Sequence, residues 1–411
     1  MKLEKYSGII GIIFILLISY LFSNNKKEIN KKLVITGLCL QVLTGYFILK
    51  IRVGQILFKK IAHIISSLLD ISQEGGRFIF GFLMDDNLIK SRLATENSYI
   101  FFVHIVPAVI FICALVSMLY YFGILQIIIR IFAFIFNKLL KVSGAEALAN
   151  TAVAFVGQVE SAIIIQPFLK NLTKSEILTI MSGGMACISG SLMAIYSSFG
   201  IRAEYLLAAS CMAIPGCFVI SKIFYPETET PLTAKSLEVI EIKKSKNFIE
   251  AILDGAFGGA KICTGIIAML IAFISLIALI DKILLTLFHG MTLKTILGFV
   301  FYPIIYLIGV PKEDVMIVSQ LFGTKIALNE FIAYLDLSKL IISSEISHKS
   351  IAISSFLLCG FANLGSIAIQ IGGLSQMAPE RKSDFAELGF KSMICGALVS
   401  CVSASIVGMI L

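Results

Sequence analysis

Two apolar stretches of this sequence each carry a carboxylate close to a carboxamide. Gln158 precedes Glu160 by two residues, and Asn329 directly precedes Glu330. A carboxylate accepts hydrogen bonds, whereas a carboxamide both donates and accepts them. Such a pair suits a ligand rich in hydroxyl groups and ring nitrogens. A buried polar contact between helices is the alternative, and the repetition of the pattern argues against it.

A third polar group interrupts an apolar stretch near the C-terminus. The run Gly-Phe-Ala-Asn-Leu-Gly-Ser occupies residues 360–366 and contains Asn363 and Ser366. Glycine weakens a helix, and Asn and Ser side chains compete for its backbone groups, so the helix is predicted to unwind here. An unwound turn exposes carbonyls, an amide and a hydroxyl to a cavity. Phe361 can stack on a planar ring, although a phenylalanine alone more often packs in a core.

The first half of the chain has a counterpart to this group. Residues 183–191 read Gly-Gly-Met-Ala-Cys-Ile-Ser-Gly-Ser. Small residues of this kind allow either close helix packing or local unwinding. Composition does not distinguish the two.

Catalytic and ATP-driven functions lack sequence support. No glycine-rich loop ends in Lys-Ser or Lys-Thr, and none of the four histidines has metal-ligand spacing. The nine cysteines all lie in apolar segments, where they are expected to pack as small hydrophobic residues.

The composition predicts an integral α-helical membrane protein. The 411 residues are 58% hydrophobic and 15% charged, and the mean hydropathy is +0.94. The apolar runs are continuous and many approach about 20 residues, whereas a membrane β-barrel alternates apolar and polar residues. No small-x-small cleavage site follows the first run, so it is expected to be a retained helix. The net charge of +8 falls in short loops, which indicates topology rather than nucleic-acid binding.

The pattern predicts about eight membrane helices and two re-entrant hairpins. The helices are expected near 6–23, 33–50, 97–130, 176–200, 203–224, 261–289, 346–371 and 384–411. Amphipathic stretches at 53–69 and 246–260 are expected to lie along the interface. The hairpins span 143–170 and 307–338, and two helices follow each of them. This is the outline of an inverted repeat, as found in many secondary transporters.

These elements divide the chain into five predicted segments. They are 1–96 with the N-terminal helices and an interfacial helix, 97–142 with a scaffold helix, 143–224 with the first hairpin and transport repeat, 225–306 with an interfacial and a scaffold helix, and 307–411 with the second hairpin and transport repeat. Basic loops around Lys26, Lys138 and Lys243 are expected in the cytoplasm, which puts both termini outside. Arg52 and Lys59 then lie on the outer side, against the charge rule.

Four motifs resemble those of the concentrative nucleoside transporters. The run Phe-Val-Gly-Gln-Val-Glu-Ser at 155–161 is similar to the family's first hairpin tip, and Gly-Thr-Lys-Ile-Ala-Leu-Asn-Glu-Phe-Ile-Ala-Tyr at 323–334 to its second hairpin. The runs at 359–363 and 379–385 match two late motifs. The resemblance extends from about Ser66 to the C-terminus.

The resemblance implies a homotrimer in the bacterial inner membrane that imports nucleosides with a cation, without a cofactor or a nucleic-acid partner. It assigns the nucleobase to Gln158, Val159 and Glu160, with Leu192 lining the pocket. It assigns the ribose to Glu330, Asn363 and Ser366, with Phe361 beside them. An uncoupled channel or facilitator and a membrane-embedded enzyme acting on a nucleoside remain alternatives. The preferred base and the acceptance of deoxynucleosides stay open.

Two departures from the family pattern concern the base and the coupling ion. Val159 replaces the usual Thr or Ser, so one hydroxyl is lost. The family's sodium site maps onto four positions, Val153, Val156, Cys187 and Ile188. Because Val153 and Cys187 supply no side-chain oxygen, which a hard cation prefers, proton coupling is expected rather than sodium coupling. Main-chain carbonyls at these positions leave sodium as the alternative.

Overall fold

A computed structural model describes residues 2–85, 100–158, 160–233, 245–287 and 291–411, with only the backbone at residues 2–6, Phe101, Glu160, Ser191 and Met269. Within these ranges the chain forms helices and no strand. Five helical segments are long and apolar enough to cross a membrane: Lys31–Leu49, Phe102–Tyr121, Ala203–Phe224, Phe248–Leu287 and Pro379–Ile410. The prediction of an all-α membrane protein is confirmed, and the number of crossings stays a prediction. Val159 and the basic loop residues Lys235, Lys243 and Lys244 lie outside the described residues.

Within the described ranges, five α-helices precede the first repeat. They are α1 (Lys2–Leu21), α2 (Lys31–Leu49), α3 (Arg52–Phe80), α4 (Phe101–Tyr121) and α5 (Ile124–Leu140). The prediction of a single helix over 97–130 is therefore wrong. The chain turns at Gly123, whose φ of +82° suits glycine, although hydropathy does not fall there. The amphipathic stretch expected at 53–69 is part of the longer α3.

The first repeat begins with a hairpin. Hairpin 1 consists of α6 (Gly144–Val156), α7 (Glu160–Ile163) and a 3₁₀ segment (Gln166–Asn171). A broken helix follows, with halves α8 (Lys174–Ala186) and α9 (Gly190–Ser198) separated by an extended break at 187–189. The long helix α10 (Ala203–Phe224) completes the repeat. The unwinding that composition left open at 183–191 therefore occurs.

The second repeat follows α11 (Phe248–Leu287) and α12 (Leu293–Leu307). Hairpin 2 consists of α13 (Val315–Ala327) and α14 (Glu330–Ile342). Its broken helix has halves α15 (His348–Leu357) and α16 (Leu364–Met377), and α17 (Lys382–Ile410) closes the chain. The order of hairpin, broken helix and long helix thus occurs twice, as the sequence predicts.

Helix α11 differs from its prediction. An interfacial stretch at 246–260 and a separate helix at 261–289 were expected, but one helix of 40 residues covers both. The helix continues through its glycines, and two of them, Gly255 and Gly259, allow close packing against α4. A Cβ on Gly255 would lie 2.6 Å from the carbonyl oxygen of Cys113, and one on Gly259 would lie 2.8 Å from Cα of Ile110. At 1.5 Å per residue the helix is about 60 Å long, which exceeds the thickness of a bilayer. Helix α12 was not predicted separately.

A hydroxyl–carboxylate bond joins the base of each hairpin to the start of its broken helix. Ser143 Oγ donates to Glu176 Oε1 at 2.5 Å in the first repeat, and Ser347 Oγ donates to Asp314 Oδ2 at 2.5 Å in the second. Burial raises the pKa of Asp314, but hydrogen bonds from the hydroxyls of Ser347 and Ser350 and from the Ser347 backbone lower it, and the result lies below the ordinary value. Both ends of each hairpin therefore lie together, as a re-entrant element requires.

The two breaks pack directly on one another. Gly360 has φ of +98°, and a Cβ at this position would lie 2.5 Å from the carbonyl carbon and oxygen of Ala186. Only glycine fits this contact between the two broken helices. Helices α10 and α17 are buried over most of their length, whereas α11 exposes much of its apolar surface. The two repeats therefore form the centre of the protein around the crossed breaks.

Candidate functional site

A cavity of about 380 Å³ lies where hairpin 2 and the two broken helices meet. This volume is within the range of small-molecule sites. Six of the eight residues predicted to bind substrate line it: Gln158, Leu192, Glu330, Phe361, Asn363 and Ser366. They come from the tips of both hairpins and from both broken helices, so residues distant in sequence are brought together as predicted. Their roles toward a ligand stay predictions.

Hairpin 2 presents Glu330 as the first residue of α14. Asn329 caps this helix, because its Oδ1 accepts the backbone N–H of Ile332 at 2.9 Å. Its Nδ2 is buried and has no partner within the described residues, although Asn329 also lines the cavity. Asn329 and Glu330 thus line the same cavity, and their joint role toward a ligand stays a prediction. The carboxylate is partnered by other elements.

Asn363 is the partner of Glu330 on the second broken helix. It caps α16, because its Oδ1 accepts the backbone N–H of Ser366 at 2.8 Å. This contact orients the amide so that Nδ2 donates to Glu330 Oε2 at 3.0 Å. Both residues are nearly fully buried. A helix start favours a polar side chain that caps its free backbone N–H groups. At α16 this capping side chain is Asn363, and it lies in the cavity.

Tyr196 is a site residue that the sequence reasoning missed. It lies on α9, is fully buried, and donates its hydroxyl to Glu330 Oε1 at 2.9 Å. Its ring stacks on Tyr334 of hairpin 2 with 4.4 Å between centroids, and it lines the cavity. The Glu330 carboxylate therefore receives one donor from each broken helix. A tyrosine in an apolar helix gives no sequence signal for this role, because packing alone explains its presence.

A second cavity of about 680 Å³ shares Gln158, Leu192 and Phe361 with the first. Gln158 lies in the turn of hairpin 1, and its Oε1 is buried without a partner in the described part of the chain. A ligand in the shared region would meet an open amide acceptor on one side and the Glu330 carboxylate on the other. Val159 lies outside the described residues. The backbone of Glu160 is described, and this residue is the first of α7, two positions after Gln158.

The four candidate cation positions lie on α6 and at the first break. Val153 and Ile188 are fully buried, and the carbonyl of Val153 already accepts the Gly157 backbone N–H at 3.2 Å. Cys187 directs its Sγ at the carbonyl of Ser210, 3.9 Å away. The extended backbone at 187–189 has carbonyls outside any helix. The four positions lie on α6 and at the first break, as expected. Their side chains offer no oxygen atom to a cation.

Comparison with known proteins identifies the family. Residues 10–83 and 205–408 match models described as Na+ dependent nucleoside transporter N-terminus and C-terminus, and residues 102–202 match one described as nucleoside recognition. The uncharacterized transporter YutK of Bacillus subtilis is 41% identical, with 98% of each chain covered. The nucleoside permease NupC of Helicobacter pylori is 35% identical, with 98% of this chain and 97% of the permease covered.

Solved structures agree with this result. CNTnw in an inward-facing substrate-bound state matches with a TM-score of 0.93 and 35% identity, over 98% of each chain. These relatives are transporters and permeases, which excludes the alternative of a membrane-embedded enzyme. The resemblance seen in the hairpin motifs is therefore confirmed over nearly the whole chain. The chain belongs to the concentrative nucleoside transporter family, whose members are membrane proteins that transport nucleosides.

Proposed function

We propose that this protein imports nucleosides by cation-coupled symport, with alternating access of the cavity between the hairpins and the broken helices. The observation that carries the proposal is the Glu330 carboxylate, which is held by Asn363 and Tyr196 inside a cavity of ligand size. An ionisable group buried at membrane depth is costly and marks a substrate or ion pathway. We place it in a bacterial inner membrane, as a homotrimer.

The polar groups divide the cavity into two ends. Glu330, Asn363 and Ser366 would bind the ribose hydroxyls, because carboxylate and amide oxygens accept from a diol and the Asn363 amide donates. Gln158 and Glu160 would bind the base edge, with Leu192 and Phe361 as apolar walls. Val159 supplies no hydroxyl there. Nothing in this division selects purine over pyrimidine or excludes deoxynucleosides.

The coupling ion we propose is the proton. Val153 and Cys187 offer no side-chain oxygen to sodium, and the Val153 carbonyl is already hydrogen bonded. A proton requires a carboxylate whose pKa can be raised by burial instead of an oxygen cage. The candidates are Glu330, which is buried, and Glu160, which belongs to an apolar stretch of the sequence. Sodium bound by the main-chain carbonyls of Val153, Val156 and Ile188 together with water is the alternative.

An uncoupled facilitator would use the same cavity. Accumulation of nucleoside against its concentration gradient therefore distinguishes symport from facilitated diffusion. Purified protein in liposomes is given labelled uridine and an imposed cation gradient. Symport predicts a transient internal concentration above the external one, and an ionophore that collapses the gradient abolishes this excess. Uptake that stops at equal concentrations with an intact gradient supports the facilitator and contradicts our proposal.

A further inference from the structure

Lys325 lies on α13 and is fully buried, with 0% exposure. Its ammonium donates to the carbonyl oxygens of Leu357 at 2.9 Å and Cys359 at 2.8 Å. The third donor goes to Ser400 Oγ at 3.1 Å. An ammonium has three donors, and all three are used. Since a buried charge is costly unless it is fully hydrogen bonded, this part of the protein is built around the cation.

The two carbonyl acceptors lie at Leu357, the last residue of α15, and at Cys359 just beyond it, whereas Ser400 belongs to α17. The last four carbonyls of a helix lack intrahelical donors, and the helix dipole places partial negative charge at this end. Tyr334, on the other arm of hairpin 2, donates to the carbonyl of Ser355 at 2.8 Å. Hairpin 2 therefore caps three carbonyls, those of Ser355, Leu357 and Cys359, from both of its arms.

The equivalent position of hairpin 1 carries no ammonium group. Helices α6 and α13 are both 13 residues long, and Lys325 is the eleventh residue of α13. The eleventh residue of α6 is Ala154, which has no polar group to donate. The ammonium is thus a feature of the second repeat, on the side of the cavity where Glu330 and Asn363 meet.

The contact of Lys325 with the end of α15 joins the two segments that carry Glu330 and Asn363. Glu330 follows Lys325 by five residues on hairpin 2, and Asn363 follows Cys359 by four residues at the break. We propose that Lys325 is a positioning residue, whose ammonium holds the end of α15 against hairpin 2 and so keeps Asn363 within hydrogen-bonding distance of Glu330. Its role in sugar recognition rests on the function proposed above.

Replacing the lysine tests this role through ligand selectivity. Binding of uridine and of 2′,3′-dideoxyuridine is measured on purified protein at one pH and one salt concentration. Lys325→Ala is expected to weaken uridine binding about tenfold or more, because hydrogen bonds to a charged group at the sugar end are misaligned. Binding of the dideoxy compound, which lacks the ribose diol, is expected to change less than about threefold. Propylammonium added to the buffer is expected to restore part of the uridine affinity by filling the vacated space.

Two further variants complete the test. Lys339→Ala removes a lysine of the same hairpin whose side chain is 78% exposed, and it is expected to leave both affinities unchanged. Ser400→Ala removes one ligand of the ammonium and is expected to cause a smaller loss of the same selectivity. If Lys325→Ala does not yield folded protein, Ser400→Ala decides by the same comparison.

The outcomes separate the inference from the proposed function. Unchanged uridine affinity, or an equal loss for both compounds, overturns the positioning role while wild-type protein still binds uridine. Wild-type protein that binds no nucleoside contradicts the proposed function itself.

Discussion

The side-chain amide of Asn363 donates to Glu330 Oε2 across 3.0 Å, which links the break of the second broken helix to the tip of hairpin 2. The two residues are 33 positions apart in sequence, and both are nearly fully buried. Each stands at the start of its own helix, and each lines the cavity between the hairpins and the broken helices. A movement that separated these two elements would therefore also separate the groups proposed to bind the sugar.

The first prediction concerns the charge of Glu330. Glu330→Gln keeps the shape of the side chain and removes the negative charge that ribose hydroxyls would donate to. Because hydrogen bonds to a charged group are worth about 1.5–3 kcal/mol, nucleoside affinity is expected to fall about tenfold or more. Calorimetry on purified protein measures it. The matched control is Glu345→Gln, which changes an exposed residue after α14 and is expected to have no effect. Unchanged affinity in a folded Glu330→Gln variant would remove the sugar assignment.

The second prediction concerns the ligand. Free nucleobases are expected to bind much more weakly than nucleosides, because without a sugar the Glu330 and Asn363 end of the cavity would be left without ligand partners in a low-dielectric setting. Competition of uracil and uridine against labelled uridine measures the difference. Equal competition by the two compounds would contradict the division of the site into a base end and a sugar end.

The third prediction concerns Tyr196. Tyr196→Phe removes the hydroxyl that donates to Glu330 Oε1 and keeps the ring stacked on Tyr334. A carboxylate that loses a buried donor is expected to cost about 1–3 kcal/mol in the free energy of unfolding and to lower nucleoside affinity severalfold. Thermal unfolding and binding are measured together. Tyr302→Phe, on a partly exposed ring of α12, is the control. Wild-type stability and affinity in Tyr196→Phe would show that this contact is dispensable.

The fourth prediction concerns the crossing of the two breaks. Gly360→Ala would place a methyl group 2.5 Å from the Ala186 carbonyl at a φ of +98°, so it is expected to destabilise the fold strongly and abolish uptake. Gly372→Ala on α16 is the matched control, because a Cβ there meets nothing within 4 Å. It is expected to be neutral or to stabilise the helix by up to about 1 kcal/mol. Tolerance of Gly360→Ala would mean that the breaks do not pack as described.

The sequence predicts much of the site because the cost of polar groups in a membrane is visible in it. Glu330, Asn363 and Ser366 were identified by that cost, and the structure brings them into one cavity with Gln158. Tyr196 was not identified, since a tyrosine is compatible with ordinary packing. The hydrogen bond from Asn363 to Glu330 was not predicted either, because the two residues are distant in sequence and only the packed structure brings them together.

Element boundaries were less predictable than element types. The turn at Gly123 was missed because the segments on both sides of it are strongly apolar, so hydropathy does not mark a boundary there. The continuity of α11 was missed for a different reason. The amphipathic pattern of 246–260 favours an interfacial helix, but this stretch packs against α4 through Gly255 and Gly259, and only the packed structure reveals that contact.

The final prediction is the coupling ion, and one uptake measurement tests the central claim. Protein in liposomes is supplied with labelled uridine or adenosine in sodium-free buffer, with the outside more acidic than the inside. Protein-free liposomes and a sodium gradient at equal pH are the controls. We expect the imposed proton gradient to drive accumulation without sodium, because Val153 and Cys187 provide no side-chain oxygen for a sodium site. Uptake that requires sodium and that a proton gradient does not restore would contradict proton coupling, and accumulation under neither gradient would contradict cation-coupled nucleoside import.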